Sequence, residues 1–233
     1  MTETVKREVI IKTCRHCGTV LATTPIEKLE DVKGLEYATR ALEVAAVGDH
    51  PIVFLSDGNP HDTKRLATIA KNNFGCTAFA LQPCVCGNAG STTHQCTCSP
   101  SVLARYRRRP QWIQAMETGV IFVQVAEVPY ERRTTTRAGE DEARIQERIA
   151  LARARPIPPS ILVDHASMRL IQAAQRQLQL DAPTEARVIA LAGTIARMDS
   201  IYRNDELSKD ISPAHLAEAV QYRPRWSRAV LDD

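Results

Sequence analysis

The sequence predicts an α/β domain followed by an all-helical module. Residues 35–72 show the spacing of an amphipathic helix, then a short apolar run, a polar turn and a second helix. Two more apolar runs, at residues 78–82 and 120–128, are typical of buried strands. Beyond residue 159 the apolar residues recur only at helical spacing. Strands mixed with helices, and then helices alone, favour an α/β core with an appended helical domain.

The composition is that of an ordinary globular chain. Its 233 residues suffice for one large domain or two small ones with a substantial core. The net charge of +3 is too small to require a nucleic-acid partner. No apolar run reaches the length of a membrane span, and the opening residues MTETVKREVI lack a hydrophobic signal core. We therefore expect a cytoplasmic protein without membrane contacts.

Residues 1–28 form a predicted N-terminal extension with a short strand and a cysteine knuckle. The knuckle CRHCG, with Cys14 and Cys17, matches one half of a zinc ribbon. A complete ribbon needs a second Cys-x-x-Cys, which the chain does not contain. His16, Cys76 or a ligand from another subunit would have to complete a metal site. A knuckle that binds no metal is the alternative.

The first part of the predicted core has the order helix, buried strand, turn, helix. Apolar spacing predicts a helix over residues 35–47 that Gly48 closes. A buried strand follows over residues 51–55, and the polar turn SDGNPHD leads into a helix over residues 63–72. A phosphate-binding loop occurs in this setting, so the turn is a candidate phosphate site.

Four cysteines lie in two Cys-x-Cys pairs within residues 83–109. A polar loop that contains glycine separates the pair Cys84 and Cys86 from the pair Cys96 and Cys98. Thiolates are soft ligands that suit Zn²⁺, and a structural zinc site needs four of them in a tetrahedron. We expect one structural zinc on these cysteines, with His94 as a substitute ligand. Four reduced thiols that bind no metal are the alternative.

An arginine cluster follows the cysteines, in a segment that starts like a helix at residue 102 and precedes Pro110. Arg105, Arg107, Arg108 and Arg109 surround Tyr106. Such a patch can contact nucleic-acid phosphates while the tyrosine ring stacks on a base. The alternative is the solvated face of a helix or a contact between subunits.

The last hundred residues are predicted to be helical. Acids and bases alternate at helical spacing over residues 140–155, which indicates a solvated helix within a linking segment at residues 131–159. Three prolines, at positions 156, 158 and 159, end this helix. Apolar spacing then predicts three helices, at residues 164–178, 184–198 and 213–220, the last with Ser212 as its N-cap.

Four stretches resemble the ComM-type, magnesium-chelatase-like AAA+ ATPases, and they occur in family order between about residues 29 and 223. They are DVKGLEYATRALEVAAVGDH, PCVCG…CTCSPSVLARYRRR, EARIQERIALARARP and TIARM…ISPAHLAEAVQYR. The resemblance implies a shortened P-loop AAA+ core over residues 29–130, with the cysteine cluster as a zinc-binding insertion. It also implies a C-terminal helical lid over residues 160–233. ATP or ADP is the implied ligand, with adenine on the backbone of residues 32–34.

The chain departs from this family where the phosphates would bind. A P-loop needs glycines whose N–H groups wrap the phosphates, a lysine for the β- and γ-phosphates, and a serine or threonine for Mg²⁺. Asp57, Pro60 and Asp62 replace the three glycines, and the Lys-Thr pair is reversed as Thr63 and Lys64. Proline has no N–H, and two added carboxylates repel a triphosphate. We therefore expect no working Walker A motif.

Three further catalytic features of the family are missing. Residues 74–82 contain no acid, so the Walker B residues that hold Mg²⁺ are absent and the core should have fewer strands. No arginine lies between Pro110 and Pro129, where the family carries its arginine finger. Pro183 stands at the sensor-2 position. Arg187, one helical turn further on, is either a partial substitute or a surface or packing residue.

The joint loss of these features, with the structural segments retained, predicts a pseudo-ATPase that acts as an interaction or regulatory subunit. Its expected partners are other proteins or AAA+ relatives in a homo- or hetero-oligomer, with DNA as a further partner. Any residual ATP or ADP binding would use the residues that match the family's nucleotide contacts: Val32, Gly34, Gly58, Asn59, Thr63, Lys64 and Arg187.

Two alternatives stay open. One is an ATPase with a rearranged site, in which Lys64 reaches the phosphates and Asp57 or Asp62 holds Mg²⁺. The other is a zinc-dependent nucleic-acid-binding protein that uses the Cys14/Cys17 knuckle and residues 105–109.

Overall fold

A computed structural model of the chain describes residues 10–13, 20–23, 28–134, 139–156, 162–203 and 210–224. The strands in these ranges are β1 (Ile10–Thr13), β2 (Val20–Thr23), β3 (Ile52–Asp57), β4 (Ala78–Leu81), β5 (Ile121–Ala126), β6 (Leu162–Val163) and β7 (Asp210–Ile211). The helices are α1 (Glu36–Gly48), α2 (Pro60–Asn72), α3 (Pro100–Arg107), α4 (Pro110–Thr118), α5 (Tyr130–Arg133), α6 (Glu142–Ala154), α7 (His165–Leu178), α8 (Ala182–Tyr202) and α9 (Pro213–Gln221). The predicted mixture of strands and helices is confirmed.

The central sheet has three parallel strands in the order β4-β3-β5. Phe54 in the middle strand lies opposite Ala80 on one side and Val123 on the other. A parallel sheet is covered by helices on both faces, so its strands are apolar throughout. The run IVFL at the start of β3 meets this requirement, because all four of its residues are buried.

Successive side chains of β3 enter two different apolar layers. Ile52 and Phe54 belong to a large cluster with α1 and α2, whereas Val53 and Leu55 pack with Tyr106 and Trp112 of α3 and α4. The two faces alternate because strand side chains have a period of two. The sheet therefore lies between two helical layers.

Helix α4 is absent from the sequence-based expectations. Pro110 occupies its first turn. An N–H at this position would have no acceptor within the helix, so proline, which lacks the N–H, costs no hydrogen bond there. Trp112 is 1% exposed and Ala115 is fully buried, and both face the sheet. The stretch between the arginines and β5 is therefore a helix that packs against the sheet.

Helix α6 packs into the core and is more than a solvated connection. Ile145, Ile149 and Ala152 are buried in the same cluster as α1. Arg153 of α6 donates through Nε and Nη2 to the carbonyl of Ala46, at 2.9 and 2.6 Å. Carbonyls in the last turn of a helix lack intrahelical partners, and cations near them also interact favourably with the helix dipole.

The C-terminal helices share the large apolar cluster with the sheet. Ile171, Leu191, Ile211 and Leu216 belong to the cluster that contains Phe54. Arg197 of α8 also donates to the carbonyl of Val47 at the end of α1, at 2.7 Å. The predicted boundary near residue 160 therefore does not interrupt the core.

The outer edge of β5 is bound by side-chain and backbone groups from α1 and the end of α9. The Tyr37 hydroxyl donates to the Gln124 carbonyl at 2.6 Å and accepts from the Ala126 N–H at 3.3 Å. The Phe122 N–H donates to the Tyr222 carbonyl at 2.8 Å. Because an exposed edge would offer unpaired backbone groups to other chains, these contacts protect the sheet.

A buried ionic network joins α1, α6 and α8. Glu43 is 2% exposed, and its carboxylate accepts from Arg148 Nη2 at 2.6 Å and from the Tyr202 hydroxyl at 2.7 Å. Arg148 also pairs with Glu140 and lies 4.8 Å over the Tyr202 ring. A buried charge without a partner is strongly destabilising, so the Glu43 carboxylate depends on Arg148 and Tyr202.

Replacing Glu43 should therefore cost more stability than replacing an exposed acid. We expect Glu43→Gln to lower the free energy of unfolding by roughly 2–4 kcal/mol, because the neutral amide leaves the charge of Arg148 unbalanced on this side and turns an NH₂ group toward one of the two donors, Arg148 or Tyr202. The matched control is Glu147→Gln on α6, an exposed position where the change should be below about 0.5 kcal/mol. Chemical denaturation of both variants measures the difference, and equal stabilities would contradict the structural role of the network.

Candidate metal centre

The four clustered cysteines lie in the connection between β4 and α3 and meet at one point. All four Sγ atoms lie within 4.8 Å of one another. Cys84 Sγ is 3.4 Å from Cys86 Sγ, which is 3.6 Å from Cys96 Sγ. Cys84 is fully buried and Cys86, Cys96 and Cys98 are half-buried. The prediction that the two pairs come together is confirmed.

This donor set fits one zinc ion. Zn–S bonds of about 2.3 Å in a tetrahedron place the sulfur atoms about 3.8 Å apart, close to the observed separations. His94 is exposed, its Nδ1 lies 2.9 Å from the Thr93 hydroxyl, and it is not one of the grouped ligands. The four cysteines therefore suffice without a histidine.

The thiols share negative charge unequally. Burial raises the pKa of Cys84 to about 12, although the hydrogen bond that the Ala89 N–H donates to its sulfur acts to lower this pKa. Burial also acts to raise the pKa of Cys86, but hydrogen bonds from the backbone of Asn88 and Thr97 and from neighbouring thiols lower it to about 6. A metal ion must therefore displace the proton of Cys84, which makes its affinity rise with pH.

The loop between the two pairs lies against the turn that joins β3 to α2. The Gly58 N–H donates to the Ala89 carbonyl at 3.1 Å. Gly58 has a φ of +75°, and a Cβ there would lie 2.7 Å from Ser91 Cα. Gly90 has a φ of +82°, and a Cβ there would overlap the Asp57 carboxylate. The two backbones approach so closely that both positions require glycine.

Glu127 binds the tip of this loop from the end of β5. Its carboxylate accepts from the Ser91 hydroxyl at 2.8 Å, from the Thr92 hydroxyl at 2.8 Å and from the Thr92 N–H at 3.1 Å. Burial acts to raise the pKa of Glu127, but the hydrogen bonds from Thr92 and Ser91 hold it below its usual value. Sequence reasoning did not single out Glu127, because no spacing distinguishes it from the other acids.

The turn that matches the P-loop is closed by its own side chains. Asn59 caps α2, accepting from the Asp62 N–H at 3.2 Å and donating to the Asp62 carboxylate at 2.7 Å. Asn59 also donates to the Ala126 carbonyl at 3.1 Å, and the Thr63 hydroxyl donates to the Asn59 carbonyl at 2.6 Å. A carboxylate therefore lies in the first turn of α2, where a phosphate-binding helix would receive its anion.

Of the other predicted nucleotide contacts, Arg187 lies away from the turn. Lys64 is exposed, while Val32 is buried and Gly34 lies against Val128 near the end of β5. Arg187 is exposed and borders a small cavity beside residues 119–120, before the start of β5. The turn after β3 is at the carboxyl end of the sheet, so the structure does not bring Arg187 to it.

The arginine cluster divides into packed and exposed members. Tyr106 is 9% exposed, with the Arg109 guanidinium 4.7 Å over its ring and Trp112 6.4 Å away in an edge-on contact. The half-buried Arg107 donates to the Pro83 carbonyl at 3.4 Å. Tyr106 therefore has no open face for a base, and the exposed arginines are Arg105, Arg108 and Arg109.

Cys14 and Cys17 of the N-terminal knuckle lie outside the described residues. Cys76 lies in the apolar core, where burial raises the pKa of its thiol to about 11. It is not a member of the four-cysteine group.

No protein-family model matches the chain, and no curated protein sequence matches it. Over the part of the chain that the structure describes, no helix combines the length and apolar character needed to cross a bilayer.

The geometry leads to a direct test of metal binding. We expect one zinc ion per chain on the four-cysteine group, and Cys84→Ser should weaken zinc binding by at least about 100-fold, since it removes a ligand. Cys76→Ala is the control and should leave the affinity unchanged. Competition with a chromophoric zinc chelator measures both variants, and an unchanged affinity in Cys84→Ser would contradict the assignment.

Proposed function

We propose that the protein is a catalytically degenerate member of the ComM-type, magnesium-chelatase-like AAA+ class, a pseudo-ATPase with one structural zinc. It acts through interactions with protein partners, as a regulatory subunit or with AAA+ relatives in an oligomer. The observation that carries this proposal is the closed turn between β3 and α2, whose polar groups are hydrogen-bonded to the protein itself.

Electrostatics at this turn oppose a triphosphate. Asp57 and Asp62 flank the start of α2, and Glu127 approaches the same turn from β5. Like charges a few ångströms apart repel strongly where water is partly excluded. The Gly58 N–H, which a P-loop would direct at phosphate, is already bound to the Ala89 carbonyl. A nucleotide would have to break this bond and displace the loop.

Within the described residues, two of the family's groups for hydrolysis are also not found at the turn. Strand β4, with the sequence AFAL, brings no acid to the carboxyl end of the sheet to hold Mg²⁺. Arg187 lies toward the other end of β5. The packing residues are intact by contrast, since both faces of the sheet are buried and the C-terminal helices share its core. Retained packing without these groups supports a role in binding partners.

The first test is calorimetric titration of Mg-ATP into the zinc-loaded protein. We expect no binding heat up to millimolar ATP, because the turn is filled and negatively charged. Lys64→Ala should behave identically. Micromolar binding, or hydrolysis that Lys64→Ala abolishes, would contradict the proposal and would support the ATPase with a rearranged site.

A second candidate function, binding of DNA, is favoured by the distribution of charge. Residues 63–116 contain seven basic residues and no acidic one, although the whole chain has 30 basic and 27 acidic residues. Five of the basic side chains are exposed and form no ion pair with any residue in the described ranges: Lys64, Lys71, Arg105, Arg108 and Arg109. Arg105, Arg108 and Arg109 lie on one side of the sheet, at α3 and its C-terminal end. Such a local excess of positive charge is typical of a surface that meets phosphates.

DNA binding can be tested by removing two exposed charges. We expect Arg108→Gln combined with Arg109→Gln to weaken duplex DNA binding and to lower the salt slope by about 1–2, the loss of one or two phosphate contacts. The control combines Arg169→Gln with Arg176→Gln, two exposed arginines of α7. Fluorescence anisotropy over a salt series compares the variants, and DNA binding without salt dependence would contradict this function.

A further inference from the structure

We propose that the cysteine loop is a metal-held cover over the amino end of α2, and that Glu127 is the positioning residue that latches it. This inference rests on the structural zinc of the proposed function and concerns how that site is regulated. It assigns Glu127 an influence on metal binding although its carboxylate touches none of the four cysteines.

Metal binding closes the loop at its base. Cys86 and Cys96 are ten positions apart, and the residues between them form the segment that reaches the β3–α2 turn. One ion held by both pairs brings the two ends of this segment together and removes much of its freedom before it docks. A loop closed in this way loses less entropy when its tip is bound.

The tip is held by groups that follow the carboxyl ends of two neighbouring strands. The Gly58 N–H binds the Ala89 carbonyl beyond β3, and Glu127 receives three hydrogen bonds from Ser91 and Thr92 beyond β5. Bonds to an ionised carboxylate are stronger than those between neutral groups. The register of β3 and β5 thus sets the distance that the loop tip spans.

Metal binding at the base of the loop and docking of its tip must influence one another. If a bound metal favours the docked tip, the docked tip favours the bound metal by the same factor, since coupling between two binding events is reciprocal. Glu127 therefore contributes to metal affinity through the loop. Loss of the metal releases the tip of the loop. This exposes Gly58, Asp57 and the first turn of α2 at the carboxyl end of the sheet. A partner would then meet a different surface in the zinc-loaded and zinc-free protein.

Amide hydrogen exchange, followed residue by residue with NMR, tests the cover. In the zinc-loaded protein we expect the Gly58 amide to be protected, and to exchange at least about tenfold faster after chelation, because its N–H donates to the Ala89 carbonyl of the loop. The Phe54 amide, inside β3, should keep its protection and report that the sheet is intact. Unchanged Gly58 protection on chelation would overturn the inference.

The latch is tested in the zinc-loaded state, so that the result does not depend on how the metal-free chain behaves. We expect Glu127→Ala to speed Gly58 exchange at least about tenfold and to weaken zinc binding about tenfold, because loop docking and metal binding are reciprocally coupled. Glu117→Gln, at an exposed acid of α4, should change neither. Zinc affinity of Glu127→Ala within twofold of the unaltered protein would overturn the latch.

These outcomes separate the inference from the proposed function. If zinc binds normally, but chelation leaves Gly58 exchange unchanged and Glu127→Ala leaves zinc affinity unchanged, the cover is rejected. The pseudo-ATPase proposal is then unaffected. If calorimetry shows ATP binding, the pseudo-ATPase proposal is rejected. The exchange and zinc-affinity results still decide whether the loop is a metal-held cover. If the protein binds no zinc at all, both the structural zinc and the metal-held cover are rejected.

Discussion

Burial of strand β3 on both faces is the constraint on which the rest of the described structure depends. A three-stranded parallel sheet has no face that it can leave to water, so each alternate side chain of β3 needs an apolar layer. Phe54 is covered by α1 and α2, and Val53 by Trp112 of α4. The C-terminal helices add to the first layer, and the buried pair of Glu43 and Arg148 holds α6 against α1.

The carboxyl end of the same strand carries the candidate site. Ligands of α/β proteins commonly bind in the crevice beyond the carboxyl ends of parallel strands. In this chain the cysteine loop lies there, with Gly58 bonded to its backbone and Glu127 bonded to its tip. Asp62 lies in the first turn of α2. The four-cysteine group and the closed turn therefore form one unit at the carboxyl end of the sheet.

The cysteine cluster could be predicted because two close pairs of soft ligands restrict the possible chemistry, whatever the fold around them. Glu127 could not, since its partners Ser91 and Thr92 lie 36 and 35 positions away. Tyr106 illustrates the same limit: an aromatic residue among arginines matches a stacking surface, but Trp112 and Arg109 cover its ring. Helix α4 escaped prediction because Pro110 can end one helix as readily as it begins the next.

By itself, the amino-acid sequence determined the order of most helices and strands and the donor set of the metal centre. Apolar periodicity and ligand type are properties of short stretches of chain, so they can be read without knowledge of distant contacts. Only the tertiary structure decided that the loop closes on Gly58 and that Arg187 lies toward the opposite end of β5 from the turn. Both depend on strand register and helix packing, which bring together residues far apart in the chain.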